Sequence, residues 1–276
     1  MNPADPVDAV DPYSVVTLDD VRTAMQRESS GDDWLLVNAI NATRAVMEMQ
    51  TRRKLMERIW ATPTTIACTT TVDSVDVTGG SGFTSLVGGV GLDALGASLS
   101  FGSRVALIQS ATALKLDRRA KVGGATSITF GRGHYGFRHD GGEQVLLPQF
   151  PATTVYSLKV LGSSGDLTTI DLANAILDEA AGILQLTSGS IARDDWCQAE
   201  FKAGMRPPSN TDIGHDEFSR VQQIAHRLVQ VLFSDYKHLL GRTIEVNIGN
   251  HAIRFLNLKF PEDIREGLRE LERIEV

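Results

Sequence analysis

The chain has 276 residues, 42% hydrophobic and 22% charged, an ordinary composition for a soluble globular protein of one large or two modest domains. Its formal charge of -7 argues against tight gripping of nucleic acid, because phosphate neutralisation needs Lys and Arg; a surface that DNA slides past stays open. Cys68 and Cys197 lie far apart without a CxxC spacing and read as free thiols of a reducing compartment, no apolar run approaches a membrane span, and the N-terminus lacks the basic region and apolar core of a signal peptide.

Residues 1–15, dominated by Asp and Pro, read as a flexible arm. Thr17 followed by Asp20 is a capped helix start, with Leu18, Val21 and Met25 as its apolar stripe, ending near Ser29–Ser30–Gly31. After a short turn the stretch Gly31–Trp60 predicts a long helix. Leu35, Ala39, Ala42, Val46, Met49, Met56 and Trp60 recur at helical spacing, Asp32 or Asp33 caps the start, and Arg52, Arg53 and Lys54 suit the dipole near the end. A second stripe of Leu36, Ile40 and Met47 widens its apolar face, which makes this helix the expected spine of a small bundle.

From about Ala61 the chain turns rich in Thr, Ser, Val and Gly. TTIACTTTVDSVDVTG, SRVALIQSATALKL and ATSITFGRGHYGFRHDGGEQVLL alternate like strands joined by glycine turns; the piece from Gly82 to Ser103 reads as loops with a short helix or as small-residue strands. Residues 61–147 are therefore expected to form a β-rich insertion. Beyond it come a strand Thr154–Leu161, a tight turn at Ala181–Gly182, a strand Ile183–Leu186, and WCQAEFKAG. In this last strand Trp196, Gln198, Glu200 and Lys202 face one way and Cys197, Ala199, Phe201 and Ala203 the other. MRPPSNTDIG reads as a linker. Asp216 opens a second long helix, with Phe218, Val221, Ala225, Leu228, Leu232, Tyr236 and Leu239 as its stripe and Gly241 as its stop; it is the natural partner of the spine. Residues 242–260 are mixed and partly strand-like, and Pro261 starts a last short helix with Glu262 and Asp263 in its first turn.

Motifs for chemistry do not assemble. GGSGFTS lacks the Lys of a phosphate loop, and GGVGLDALG has the wrong glycine spacing for a dinucleotide turn, so both read as turns. His134 and His139–Asp140 have no third or fourth ligand at recognisable spacing, and a hairpin with a polar tip accounts for them equally well. The pairs Asp19–Asp20 and Asp194–Asp195 diverge in direction as neighbours and read as caps or solvated surface. No GxSxG elbow occurs, His226 and His238 read as packed or surface helix residues, and Trp34, Trp60 and Trp196 as core or interface. No catalytic residue, cofactor or metal is expected.

The order of the pieces carries more. Leu18–Val21, Asp32–Asp33, Leu147–Val160, Ala181–Leu186, Ala199–Gly204, Phe218–Leu239 and Phe260–Leu268 follow one another as a capped helix, an acidic turn, a proline-bounded strand, a turn-and-strand, a strand ending in Ala-Gly, a long helix and an FPEDIR segment. This succession resembles the head-to-tail connector (adaptor, or head completion) proteins of long-tailed bacteriophages, over roughly 15–60 and 147–276. The β region 61–147 is longer than the short strand pair of that family, and 242–260 departs from its pattern.

The resemblance implies an α+β fold, a helical bundle built on two long helices (16–60 and 148–276) carrying the β-rich insertion. It implies a non-enzymatic virion protein of the head-tail neck, made in the host cytoplasm and assembled as a twelvefold ring. The ring would bind the portal above and a stopper or tail-completion protein below, with genomic DNA passing through its lumen unread, and no membrane. Phe255, Leu256, Leu258 and Phe260 are the candidate subunit or portal contacts, against an ordinary core strand as the alternative. A ligand- or glycan-binding virion module, with Tyr135 and Phe137 of the insertion supplying the contact, is the other functional reading.

Overall fold

The computed structural model describes residues 10–11, 13–26, 31–100, 102–133, 135–161, 165–205, 215–240 and 261–271. The chain forms two compact units, one of residues 1–56 and 205–276 and one of residues 57–204.

The first unit is helical. In α1 (Leu18–Ala24) the Thr17 hydroxyl accepts the Asp20 N–H at 3.1 Å and the Asp20 carboxylate accepts the Thr17 N–H at 2.9 Å, a complete capping box. α2 (Asp33–Gln50) buries Leu35, Leu36, Ala39, Ile40, Val46 and Met47. It ends ten residues before the expected Trp60. The Thr51 hydroxyl donates to the Met47 carbonyl at 2.8 Å, and Arg52 takes the left-handed region at φ 52. Met56 bridges Met205, and Arg58–Trp60 is a strand. α3 (His215–Leu240) buries Phe218, Val221, Ala225, Leu228 and Leu232 of the expected stripe; the side chains of Tyr236 and Leu239 lie outside the described residues. α4 (Glu262–Leu271) buries Ile264, Leu268 and Leu271. Within the stretch read as an arm, Asp11, Tyr13 and Val15 are buried. The Asn41 side chain accepts the Asp11 N–H at 2.8 Å, and Arg44 pairs with Asp11 at 3.2 Å.

The described residues of the second unit form strands, with one short 3-10 helix at Phe83–Ser85. Its six-stranded sheet has the order β4 (Ala94–Leu95), β7 (Gly124–Phe130), β2 (Thr64–Thr70), β3 (Asp76–Thr78), β6 (Ala113–Leu116), β5 (Val105–Ser110). Its two edges meet. The Gly91 N–H donates to the Val105 carbonyl at 2.7 Å, the Val105 N–H to the Leu92 carbonyl at 2.9 Å, and the Ala94 N–H to the Ser103 carbonyl at 2.8 Å. The sheet thus closes into a small barrel filled by Ile66, Val77, Phe83, Leu114, Ile128 and Phe130. A five-stranded sheet runs β1 (Arg58–Trp60), β14 (Trp196–Ala203), β10 (Ala152–Leu161), β11 (Leu167–Thr169), with β8 (Tyr135–Arg138) also on β14. β12 (Ile176–Asp178), β13 (Ile183–Gln185) and β9 (Gln144–Leu146) make a third, three-stranded sheet.

The expected fold class is therefore corrected. The described residues hold fourteen strands in three sheets and four α-helices, a mostly β protein rather than a bundle of two long helices with a β insertion. The physical reason is pairing across the sequence. Strands after residue 147 complete sheets begun before it, with β14 joining β1 and β8, and β13 joining β9. Short strands of this kind leave only a weak local signal.

Candidate interaction surface

The expected contact residues Phe255, Leu256, Leu258 and Phe260 lie outside the described residues, as do all of 242–260 and His134. The surface features that the described residues do show centre on β14.

Alternation on β14 holds. Cys197, Ala199, Phe201 and Ala203 are fully buried, and the opposite side chains turn outward. Phe201 stacks on Trp60 with centroids 5.0 Å apart, and Trp60 meets Tyr135 edge-on at 6.0 Å. Registration sets the outward face. Arg138 stands opposite Trp196, Gly136 opposite Gln198, Gln198 opposite Lys159, and Leu161 opposite Leu167. Leu161 is two residues on from Lys159 and Trp196 two back from Gln198, so Arg138, Trp196, Leu161 and Leu167 form one row across four strands. Trp196 is 45% exposed, Leu161 37% and Leu167 47%. Gly136 matters to this row: a Cβ there would strike the Trp196 ring, so its absence lets the indole lie across β8. The three-stranded sheet exposes Leu146 and Ile176 in the same manner.

Glu200 departs from its face. It is buried where β10 has a register shift, accepting the Thr62 N–H at 2.7 Å and the Ser157 hydroxyl at 2.8 Å. Burial pushes its carboxyl up, but the hydrogen bonds from Thr62 and Ser157 and the charge of Lys159 outweigh this and leave it below its ordinary value. Sequence spacing could not find it, because the cover comes from Thr62, far away in the chain.

Of the residues weighed for metal, His134 lies outside the described residues and His139 is engaged within its own hairpin. The Gly141 N–H donates to His139 Nδ1 at 2.8 Å, which leaves Nε2 as the protonated nitrogen donating to the Gln144 carbonyl at 3.0 Å. Both ring nitrogens of His139 thus serve the hairpin, while Asp140 is exposed. Among the described residues no three His, Cys, Asp or Glu side chains gather. Tyr135 and Phe137, the contacts of the glycan reading, register with buried Ala199 and Cys197 and pack on the core side. Both cysteines are free and buried; burial pushes the Cys197 thiol up to about 11, with the charge of Asp195 adding to it. In the helical unit a groove of about 600 Å³ lies between α3 and α4, crossed by the ion pairs Arg220–Glu270 and Arg227–Asp263. Those pairs clamp α4 onto α3. No described helix is long and apolar enough to cross a membrane.

No family model matches the sequence. No curated protein matches it. Among solved structures, one similar chain is from the neck of an empty gene transfer agent particle, with 11% identity, 97% of this chain and 94% of that chain covered, and a TM-score of 0.43. Another is from the virion of a native gene transfer agent particle, with 12% identity, the same coverages of 97% and 94%, and a TM-score of 0.41. At these scores the likeness does not amount to a shared fold, and no residue role is carried across.

Proposed function

We propose that this chain is a structural, non-catalytic protein of the head-to-tail neck of a phage-like particle. In this reading copies of it form a ring, twelvefold as in the connectors it resembles, that joins the portal to a tail-side stopper. DNA passes through the lumen, and the protein resides in the host cytoplasm before assembly. The observation that carries the reading is the order of landmarks. The capped α1, the long α2, the strands β10, β13 and β14, α3 and the PEDIR helix α4 follow in the connector succession, and each sequence landmark is a real element. The exposed row of Trp196, Leu161 and Leu167 is the kind of surface that assembly covers.

The test is light scattering on the purified chain, alone and with its cognate portal, followed by negative-stain imaging. A ring in either sample is the expected outcome, and Trp196→Asp with Leu167→Asp should weaken it. A chain that stays monomeric and never joins the portal ends the connector reading.

A further inference from the structure

The barrel has two dissimilar ends. Chain connections to β1 and β8 leave from the end where β2 starts and β7 finishes. The opposite end is built by three connections that meet: residues 71–75 between β2 and β3, the stretch after β4 through Ser98 and Ser100, and residues 117–123 between β6 and β7. They are tied by backbone. The Asp73 N–H donates to the Ala120 carbonyl at 2.9 Å, the Ala120 N–H to the Ser74 carbonyl at 2.8 Å, and the Lys121 N–H to the Ser98 carbonyl at 2.8 Å. The Ser100 hydroxyl donates to the Arg119 carbonyl and the Thr70 hydroxyl to the Val122 carbonyl, at 2.9 and 2.8 Å.

On this fixed frame stand Arg118, Arg119 and Lys121, three cations in four residues of a chain whose net charge is -7. Arg119 and Lys121 are exposed, and neither has an ion pair among the described residues. Asp117 is taken up by Arg104, through the backbone N–H at 2.7 Å and Nε at 3.2 Å. Asp73 is the other acid of the connections 71–75 and 117–123, against the three cations. Val72 and Val122, 55% and 56% exposed, flank the cations. Arg119 and Lys121, held on a pre-ordered loop, offer what a phosphate backbone needs: Coulomb attraction and counterion release with little ordering cost.

We propose that this barrel end is a non-specific contact for the phosphate backbone of double-stranded DNA. The proposal rests on the connector reading for the presence of DNA, and it makes the barrel end the point where an otherwise repelling acidic protein touches it.

The experiment is fluorescence anisotropy of a labelled 30-base-pair duplex against the full chain, from about 20 to 200 mM salt. The wild type should bind weakly and lose affinity with salt. Arg119→Gln with Lys121→Gln should weaken binding and lower the slope of log K against log salt by about 2. Arg269→Glu, an exposed cation of α4, should leave binding as it was. Circular dichroism of each variant checks that it folds. A wild type that ignores the duplex at the lowest salt overturns the proposal. So does a double variant that binds as well as the wild type, or a preference for polyglutamate over the duplex, which would assign the end to an acidic protein instead. Light scattering with the portal on the same samples separates the two readings. If wild type and double variant assemble alike but neither binds DNA, the contact fails and the connector stands; if neither assembles, the connector reading fails.

Discussion

Glu200 and Cys197 sit on opposite faces of one strand, and each ties stability to pH. The Glu200 carboxylate satisfies the Thr62 N–H and the Ser157 hydroxyl at a buried point of the sheet. Glu200→Ala leaves both donors without that acceptor and should cost about 1–3 kcal/mol in urea unfolding, whereas Glu200→Gln, which keeps one carbonyl oxygen, should cost less. Cys197 is fully buried, with its thiol at about 11 against an ordinary 9.0. Between those two values the unfolded chain releases this proton and the folded chain keeps it. The stabilisation is complete below pH 9.0 and lost as pH rises towards about 11. Cys197→Ala should flatten that alkaline slope in melts at graded pH, and Ellman's reagent at pH 8 should find the native thiol unreactive. At the acid end, burial lowers the His226 pKa from 6.5, with Asp20 opposing. Below that value the unfolded histidine gains a proton that the folded one resists, so the helical unit should lose stability as pH falls from 6.5, and His226→Gln should remove the trend.

Elements differ in how far local sequence specifies them. α1 was legible because its stabilising contacts lie three residues apart, Thr17 to Asp20. Thr17→Ala should cost about 1 kcal/mol in chemical denaturation, with Thr17→Ser largely restoring it. α2 was legible in its start and most of its face but not in its end: Met49 of the expected stripe is exposed, and Met56 and Trp60 kept the helical spacing while belonging to a bridge and a strand formed with distant residues. The β14 alternation was legible except at Glu200, since period two needs no partner to be seen. Its outward apolar row was not, because register with β8, β10 and β11 creates it. Gly136 is the element-scale test of that row. Gly136→Val should displace the Trp196 indole and shift its fluorescence, read as the signal lost on Trp196→Phe, while the fold remains by circular dichroism.

At the scale of the whole molecule, the two units carry separate cores. Tyr13, Leu36, Ile40, Val221 and Leu228 belong to the helical one, while the β unit has two clusters, Phe83 and Phe130 in the barrel and Leu158 and Phe201 beside β14. Calorimetry should therefore resolve two transitions. Phe201→Ala should lower only one of them, by about 3–5 kcal/mol for a fully buried aromatic stacked on Trp60. Sequence by itself determined the helix faces, the alternation of the longer strands, the capped start of α1 and the succession that resembles a phage connector, because each of these is a local spacing. Tertiary structure alone decided that β dominates, that the strands on both sides of residue 147 share sheets, that the barrel closes, and that Trp196, Leu161 and Leu167 align. These depend on pairing between residues far apart in the chain, and no window of sequence contains both partners.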